Sequence, residues 1–353
     1  MLDLDSPSEV VARDSQGMLG HILALPEQIR AAWRLARALD APASYSSVEA
    51  VVVLGMGGSA IGGDLVRTVV AGELKVPLVV VRDYALPAFV GPGTLVIASS
   101  HSGETEETLS GLDDALARGC RCLAISTGGT LLARARSGGL PALQFDYPSQ
   151  PRAALGYSAL LLLGALARLG LIADKSADVA EAADLLSTMA GELGPAVPTE
   201  RNPAKQVARL LKGRVAVVYG GVLAEVARRW KGQLNENGKA WAYFEAFPEL
   251  DHNAVVAYED PAVLRERLAV VMLSSDHDHP RTRLRFEVTA ELLDRYGVAH
   301  RTVAARGQSL LAQVLSAGYV GDFASFYVAA LNGVDPTPIE PIVHLKSELA
   351  GRG

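Results

Sequence analysis

Five hydroxyl side chains surround a single glycine in the segment SSHSGETEET, residues 99–108. The segment directly follows the apolar stretch 94–98, so these hydroxyl groups begin where a predicted strand ends. Hydroxyl groups and backbone N–H groups in a tight turn donate hydrogen bonds, and a phosphate monoester has several oxygen atoms that accept them. Helix capping by Ser102 or Thr105 would explain one hydroxyl group but not the cluster. The segment therefore predicts an anion-binding turn, which we call the serine loop (residues 99–105).

A glycine-rich turn follows an earlier predicted strand, in VVVLGMGGSAIGGDL, residues 51–65. Glycines let the backbone approach a ligand closely, and the start of the next helix offers unpaired N–H groups to an anion. Residues 55–60, which we call the glycine loop, also fit the dinucleotide fingerprint G-x-G-x-x-G/A, although a tight turn without a ligand would have the same composition. No Lys-Ser/Thr pair follows Gly62, which excludes a P-loop.

The elements that must position these loops are short apolar strands that alternate with helical patterns. We predict strands at 51–54, 78–81, 95–98, 120–125, 215–221, 268–275 and 299–304. Apolar strands separated by helices are typical of a buried, mainly parallel sheet. VVVLGMGG at 51 and VAVVYGG at 215 occupy equivalent places in the two halves. We therefore predict an α/β protein of two similar subdomains, 1–190 and 191–353, each with a mainly parallel sheet between two layers of helices.

The two loops are expected to act together. Residues 51–54 and 95–98 belong to one predicted sheet, and ligands bind at the carboxyl ends of the strands in such sheets. The glycine loop and the serine loop would thus converge on one anion, with Gly57, Gly58 and Ser59 on one side. Ser100, Ser102 and Thr105 would provide the donors on the other side. A dinucleotide-binding fold does not require this second loop, which favours a phosphate monoester.

Size and charge limit the classes of partner. The chain has 353 residues, a formal net charge of −6 and a pI near 5.7, so we expect neither nucleic acid nor an anionic membrane surface as a partner. The apolar segment 153–167 is shorter than a membrane span and predicts a buried helix. Cys120 and Cys122 lie too close in sequence for a disulfide within a strand, and the amino terminus lacks the pattern of a signal peptide. We expect a cytoplasmic protein.

GMGGSAIGGDL followed by SSHSGETEET resembles the sugar isomerase (SIS) domain, an α/β unit that binds phosphosugars through such loops. The tandem arrangement resembles the bifunctional phosphoglucose/phosphomannose isomerases, and the resemblance covers nearly the whole chain. It implies an enzyme that interconverts glucose 6-phosphate and mannose 6-phosphate with fructose 6-phosphate. Such a reaction moves a proton between C2 and C1 through a cis-enediol, and it needs no cofactor and no metal.

The resemblance also implies the catalytic residues. The family's NEN motif corresponds to Asn-Glu-Asn around Glu236, which would be the carboxylate that takes and returns the carbon-bound proton. The PExxHN motif corresponds to PELDHN and makes His252 the ring-opening histidine, contributed across the interface of a homodimer. The lysine near the carboxyl terminus corresponds to Lys346, which would assist ring opening. Arg152 in PRAALGY corresponds to the arginine that stabilises the enediol.

Two residues of the serine loop depart from the family pattern S-Y-S-G-N-T. His101 replaces an aromatic residue and is expected to contact the sugar, and Glu104 adds negative charge beside the predicted phosphate.

The segment SSDHDHP, residues 274–280, contains two histidines and two aspartates, but we interpret it as a polar turn and not as a metal site, since one short loop rarely supplies a full ligand set. Two alternatives remain: a non-catalytic phosphosugar-binding protein or regulator, and a nucleotide-dependent oxidoreductase.

Overall fold

Two parallel sheets form the framework of the protein in a computed structural model that describes residues 2–259 and 261–352. The first sheet has the strand order β2-β1-β3-β4-β5 and the second has the order β7-β6-β8-β9, with every pair of neighbours parallel. The strands are β1 (Ala50–Leu54), β2 (Leu78–Val81), β3 (Thr94–Ser100), β4 (Arg121–Ser126), β5 (Ala142–Gln144), β6 (Val215–Gly220), β7 (Ala242–Ala246), β8 (Leu268–Ser274) and β9 (Ala299–Ala304).

Central strands were predictable because both of their faces are covered. β1 and β3 are buried at every residue, which is why their sequences are continuous apolar runs. Two edge strands were missed by the sequence analysis. β5 has only three residues, and β7 alternates between more and less buried residues, so neither forms an apolar run.

The helices cover both faces of each sheet. They are α1 (Pro7–Val11), α2 (Met18–Leu23), α3 (Leu25–Arg37), α4 (Gly57–Val70), α5 (Glu106–Ala117), α6 (Gly129–Ser137), α7 (Leu155–Arg168), α8 (Ser176–Leu193), α9 (Pro203–Leu211), α10 (Ala224–Glu236), α11 (Ala262–Arg265), α12 (Pro280–Tyr296), α13 (Leu310–Asn332) and α14 (Glu340–Ala350). Short 3-10 helices include Pro151–Ala153 and Glu249–His252.

Three hydrophobic clusters fill the layers. One cluster lies between the first sheet and α5 and α6, and another lies between the second sheet and α12. The third cluster is continuous through both halves, and it includes residues of α3, α7, α8, α9 and α13. The predicted three-layer α/β architecture with two parallel sheets is therefore confirmed. The predicted boundary at residue 190 lies within α8, whose residues contact both α3 and α13.

Two apolar helices lie in the interior. α7 is the buried helix expected from the segment 153–167, and it packs against α3 and α4. α13 has 23 residues and is long and apolar enough to cross a membrane by length and composition alone, although its apolar window is 94% buried inside the protein. A helix that is surrounded by protein is apolar on all sides, which accounts for its composition.

Candidate functional site

The glycine loop and the serine loop lie side by side because β1 and β3 are neighbours in the first sheet. Gly57 begins α4 with a φ of +48°, a left-handed conformation that favours glycine. A Cβ atom at Gly58 would lie 2.6 Å from the carbonyl oxygen of Pro151, so only glycine fits there without a shift of the backbone. Gly58 thus lets the start of α4 approach the chain segment that carries Arg152.

Hydrogen bonds hold the serine loop and connect it to α4. The Ser100 and Thr105 hydroxyl groups lie 2.8 Å apart, and the Gly103 N–H donates to the Ser100 Oγ. The His101 N–H donates to the Oγ of Ser59, which joins the serine loop to the glycine loop. Ser102 is exposed, and its Oγ accepts the N–H of Glu104 at 3.2 Å. All four predicted hydroxyl residues therefore lie at one sheet edge, although these hydroxyl groups also have structural roles within the turn.

His101 and Glu104, the two residues of the serine loop that depart from the family pattern, both contact other groups of the protein. The Glu104 carboxylate accepts from the N–H and the hydroxyl group of Thr130 at 2.7 and 2.8 Å, at the start of α6, and these bonds lower its pKa. The His101 Nε2 lies 3.1 Å from the carbonyl oxygen of Tyr147, and its ring meets Phe145 edge to face. Burial lowers the pKa of His101. Contact of either side chain with a sugar stays a prediction.

A cavity of about 240 Å³ lies between the glycine loop and α10. Four of the predicted site residues line it: Gly57, Gly58, Arg152 and Glu236. The cavity wall also carries further cationic side chains, among them Arg82, Arg228 and Lys231. Arg82 pairs with Asp64 and Arg228 with Glu225, whereas Lys231 makes no ion pair within the described residues. A cationic wall suits an anionic ligand.

Arg152 and Glu236 meet in this cavity. The Arg152 Nη1 lies 3.3 Å from the Glu236 Oε2. Arg152 is 3% exposed, and its burial lowers the pKa of the guanidinium while the Glu236 charge acts in the opposite direction. The Glu236 side chain is 29% exposed, so the carboxylate can be reached from the cavity. The pair combines a carboxylate that can move a proton with a fixed cation that can stabilise developing negative charge.

Both residues lie at the ends of elements. Arg152 is in the 3-10 helix Pro151–Ala153 that precedes α7, and Glu236 is the last residue of α10. Sequence reasoning missed the cationic residues Arg82 and Arg228. Arg82 directly follows β2, at the carboxyl end of a strand of the first sheet. Arg228 precedes Glu236 by two four-residue steps along α10, a spacing that places both side chains on one face of the helix. Strand ends and helical spacing could therefore have indicated both residues.

Two predicted catalytic residues do not line this cavity. His252 is exposed at the end of the 3-10 helix Glu249–His252, and Lys346 is exposed on α14. α14 is exposed from Glu340 to Leu349, including the apolar side chains of Val343 and Leu345 at 62% and 57%. The roles of His252 and Lys346 therefore stay predictions.

In the second half, a carboxylate occupies the sheet edge that corresponds to the edge with the glycine loop and the serine loop. β6 and β8 correspond to β1 and β3 by their places in the sheet order. The buried Asp278 accepts the N–H of Val222 at 2.7 Å, after β6, and the N–H of Ser275 at 3.0 Å, after β8. Asp278 thus lies where an anion would bind if the two halves worked alike.

His279 accepts the N–H of Arg281 as the N-cap of α12, so the SSDHDHP segment is a structured turn. Within residues 2–259 and 261–352, no three His, Cys, Asp or Glu side chains are grouped to hold a metal ion.

A larger cavity of about 750 Å³ lies between β7 and the start of α14. Trp241 and Tyr243 line it and are 73% and 51% exposed, and their rings stack with centroids 6.3 Å apart. This cavity includes neither loop of the first sheet nor Glu236. The smaller cavity is the candidate active site, because the acid, the arginine and the glycine loop meet there.

Comparison with known proteins gives the family and the fold of the chain. A family model described as "Bacterial phospho-glucose isomerase C-terminal SIS domain" matches residues 200–349. A bifunctional phosphoglucose/phosphomannose isomerase from Caldicellulosiruptor bescii is 41% identical over 335 residues, covering 94% of this chain and 99% of that protein. One from Aquifex aeolicus is 34% identical and covers 88% of this chain and 93% of that protein. A hypothetical protein from Thermus thermophilus has a similar structure, with a TM-score of 0.74, 20% identity and coverage of 97% of this chain and 92% of that one.

Two parallel-sheet halves, with glycine and serine loops at one sheet edge, define a tandem SIS protein. The chain belongs to the family of bifunctional phosphoglucose/phosphomannose isomerases. The resemblance found in the loops and in the NEN motif is confirmed.

Proposed function

We propose that this chain is an aldose-ketose isomerase that interconverts glucose 6-phosphate and mannose 6-phosphate with fructose 6-phosphate. The observation that carries the proposal is the contact between Arg152 and Glu236 in a cavity that begins at the glycine loop. Relatives that are similar over almost their whole length are named for this pair of activities.

The proposed chemistry is a proton transfer with no net redox change. The Glu236 carboxylate takes the C2 proton of the open-chain aldose, and the C1 carbonyl oxygen gains a proton to form the cis-enediol. Glu236 then returns its proton to C1, while the hydroxyl group at C2 loses a proton and becomes the ketone. Arg152 stabilises the negative charge on the two oxygens during both transfers. Glucose and mannose differ only at C2, so both epimers give the same enediol.

The phosphate is assigned to the edge of the first sheet. Gly57, Gly58 and Ser59 would hold it from the glycine loop, with Ser100, Ser102 and Thr105 on the serine loop. The donors here are hydroxyl groups and backbone N–H groups near the starts of α4 and α5, where helices favour negative charge.

Ring opening is assigned to His252 and Lys346 in a homodimer. Both residues are exposed in the single chain. Exposed apolar residues close to them in the sequence suit a protein interface: Val256 at 69% and Val343 at 62%. In this proposal His252 reaches the cavity of the other subunit. The free cysteines Cys120 and Cys122 agree with a cytoplasmic location.

Coupled assays of the purified protein test the activity. We expect fructose 6-phosphate to form from both aldose phosphates and the rates to be unchanged after treatment with a chelator. Loss of activity that zinc restores would contradict the metal-free mechanism. Absence of turnover together with a rise in melting temperature in fructose 6-phosphate would favour a non-catalytic phosphosugar-binding protein. A rise in NAD, but not in fructose 6-phosphate, would favour an oxidoreductase.

Mixing two inactive variants tests the role of the dimer. His252→Ala and Glu236→Gln are each expected to be inactive as homodimers. A heterodimer of the two would contain one cavity with an intact Glu236 and an intact partner His252, so mixing after mild dissociation should restore part of the activity. Full loss in the mixture, with heterodimers present, would place His252 and Glu236 in the same subunit's site.

A further inference from the structure

Almost every N–H group of the Arg152 guanidinium donates a hydrogen bond to another group of the protein. Its Nε donates to the Oδ1 of Asn237 at 2.7 Å. Its Nη2 donates to the carbonyl oxygens of Pro336 and Thr337 at 2.9 and 2.8 Å, and its Nη1 donates to Glu236. A guanidinium has five N–H groups. The described residues therefore leave one Nη1–H of Arg152 without a partner.

Asn237 is the only side chain other than Glu236 among these acceptors. It is fully buried at the carboxyl end of α10, and its Nδ2 donates to the Oγ of Ser325 at 3.0 Å. Ser325 is in turn fixed, because its hydroxyl group donates to the carbonyl oxygen of Asp322 at 2.7 Å. The amide of Asn237 can therefore present only its oxygen to Arg152.

This arrangement fixes the rotation of the guanidinium plane. With Nε on Asn237 and Nη2 on two carbonyl oxygens, Nη1 must be the nitrogen beside Glu236. The unpartnered N–H and the contact to the proposed base then belong to the same nitrogen. A substrate oxygen bound there would lie next to the carboxylate that moves the proton, which is the geometry that an enediol requires.

We propose that Asn237 is a positioning residue that orients Arg152 so that a single Nη1–H beside Glu236 binds the enediol oxygen. The inference rests on the proposed isomerase function and deepens it. Asn237 acts through Arg152 and does not itself contact the substrate.

The test replaces Asn237 in two ways. Asn237→Leu keeps the branched shape and the number of side-chain heavy atoms, excludes water and removes the acceptor for Nε. Asn237→Asp keeps an acceptor at the same place. Asn202→Leu is the matched control, since it makes the same substitution at another fully buried asparagine, none of whose hydrogen bonds involves Arg152. Should Asn237→Leu fail to fold, Asn237→Ala takes its place.

The readouts are kcat, KM, the melting temperature and the NMR signal of the Arg152 Nε–H. Misplacement of a catalytic group by about 1 Å costs about a hundredfold in rate, so we expect Asn237→Leu to lower kcat by about 10- to 100-fold with KM changed less than about threefold. Asn237→Asp should recover at least about tenfold of a hundredfold loss, and Asn202→Leu should keep kcat within about threefold of the wild type. The Nε–H signal should be protected from exchange in the wild type and in Asn202→Leu but not in Asn237→Leu.

Two results would overturn the proposal: a folded Asn237→Leu variant with nearly wild-type kcat, or equal losses of kcat in Asn237→Leu and Asn202→Leu. A wild-type protein without isomerase activity would contradict the proposed function instead. In that case the Nε–H signal still decides whether Asn237 orients Arg152, and unchanged protection in Asn237→Leu would refute it.

Discussion

Replacing Arg152 with lysine keeps a positive charge in the cavity but removes the planar set of donors. The guanidinium bonds Asn237 through Nε and two backbone carbonyl oxygens through Nη2. A lysine ammonium has its three donors on one nitrogen and cannot reach these acceptors from the positions that Nε and Nη2 occupy. At least two buried acceptors would lose their partner. Each costs about 1–3 kcal/mol, so we expect the free energy of unfolding to fall by about 2–6 kcal/mol.

Arg152→Lys should lower kcat and not only weaken substrate binding. Removing one fixed donor to a developing oxyanion costs about 10²- to 10³-fold in kcat in enzymes that use such donors. We expect a decrease of this size in the coupled assay, in both directions of the reaction and for both aldose phosphates. Urea denaturation of the same preparations gives the change in stability.

Arg118→Lys is the matched control. Arg118 also combines a carboxylate, Asp114, with backbone carbonyl oxygens, those of Leu86, Pro87 and Val90, but it does not line the candidate active-site cavity. This variant should lose stability and keep its kcat. An Arg152→Lys variant with kcat within about threefold of the wild type, or equal losses of kcat in both variants, would refute the catalytic role of Arg152 in the cavity.

Three further changes have distinct expected results. Asp278→Ala should lower the free energy of unfolding by about 2–4 kcal/mol, because the N–H groups of Val222 and Ser275 lose their buried acceptor, and urea denaturation measures the loss. Lys346→Ala should lower kcat in the coupled assay while the free energy of unfolding changes by less than about 0.5 kcal/mol, since α14 is exposed. Burial lowers the pKa of His101 from 6.5, so the unfolded chain binds more protons and stability should fall as the pH drops below 6.5. His101→Phe should reduce that slope by at most about 1.4 kcal/mol per pH unit, measured by urea denaturation at several pH values.

Two of these changes have a control variant. Asp276→Ala removes the same charge from an exposed position in the same turn, and a loss equal to that of Asp278→Ala would contradict the role of the buried carboxylate. Arg352→Ala removes another exposed cation near the end of the chain and should leave kcat unchanged. The pKa of His21 is also lowered by burial, so some pH dependence remains in His101→Phe. An unchanged slope in that variant would rule out His101 as a source of the pH dependence.

Most of the correct predictions depend on residues that are adjacent in the sequence. The strands β1 and β3 are apolar runs because both of their faces are buried, and the glycine and serine loops follow them directly. Since parallel neighbours end at the same edge, the sequence was enough to bring Gly58 and Ser100 to one place. The edge strands β5 and β7 were missed because partial exposure removes the apolar run.

Contacts between distant segments could not be predicted in this way. The carbonyl oxygen of Thr337 accepts from Arg152 across 185 positions of sequence, and a backbone acceptor can belong to any residue type. The carboxylate of Asp278 likewise acts through its position between two loops. The composition of its segment predicts a polar turn, but it does not show which N–H groups the carboxylate accepts from. Glu236 was found from its motif, but its distance from Arg152 required the fold.

The central claim is that Glu236 moves the proton between C2 and C1. Incorporation of deuterium from heavy water into the sugar carbons tests this claim most directly. Wild-type protein incubated with glucose 6-phosphate in D₂O should form fructose 6-phosphate and introduce deuterium at the carbons that exchange protons, because the Glu236 carboxylate is 29% exposed and can exchange its proton with solvent. Glu236→Gln should bind fructose 6-phosphate but show neither conversion nor exchange, while the control Glu245→Gln, at an exposed position on β7, behaves as the wild type. Deuterium incorporation by Glu236→Gln at the wild-type rate would contradict the account.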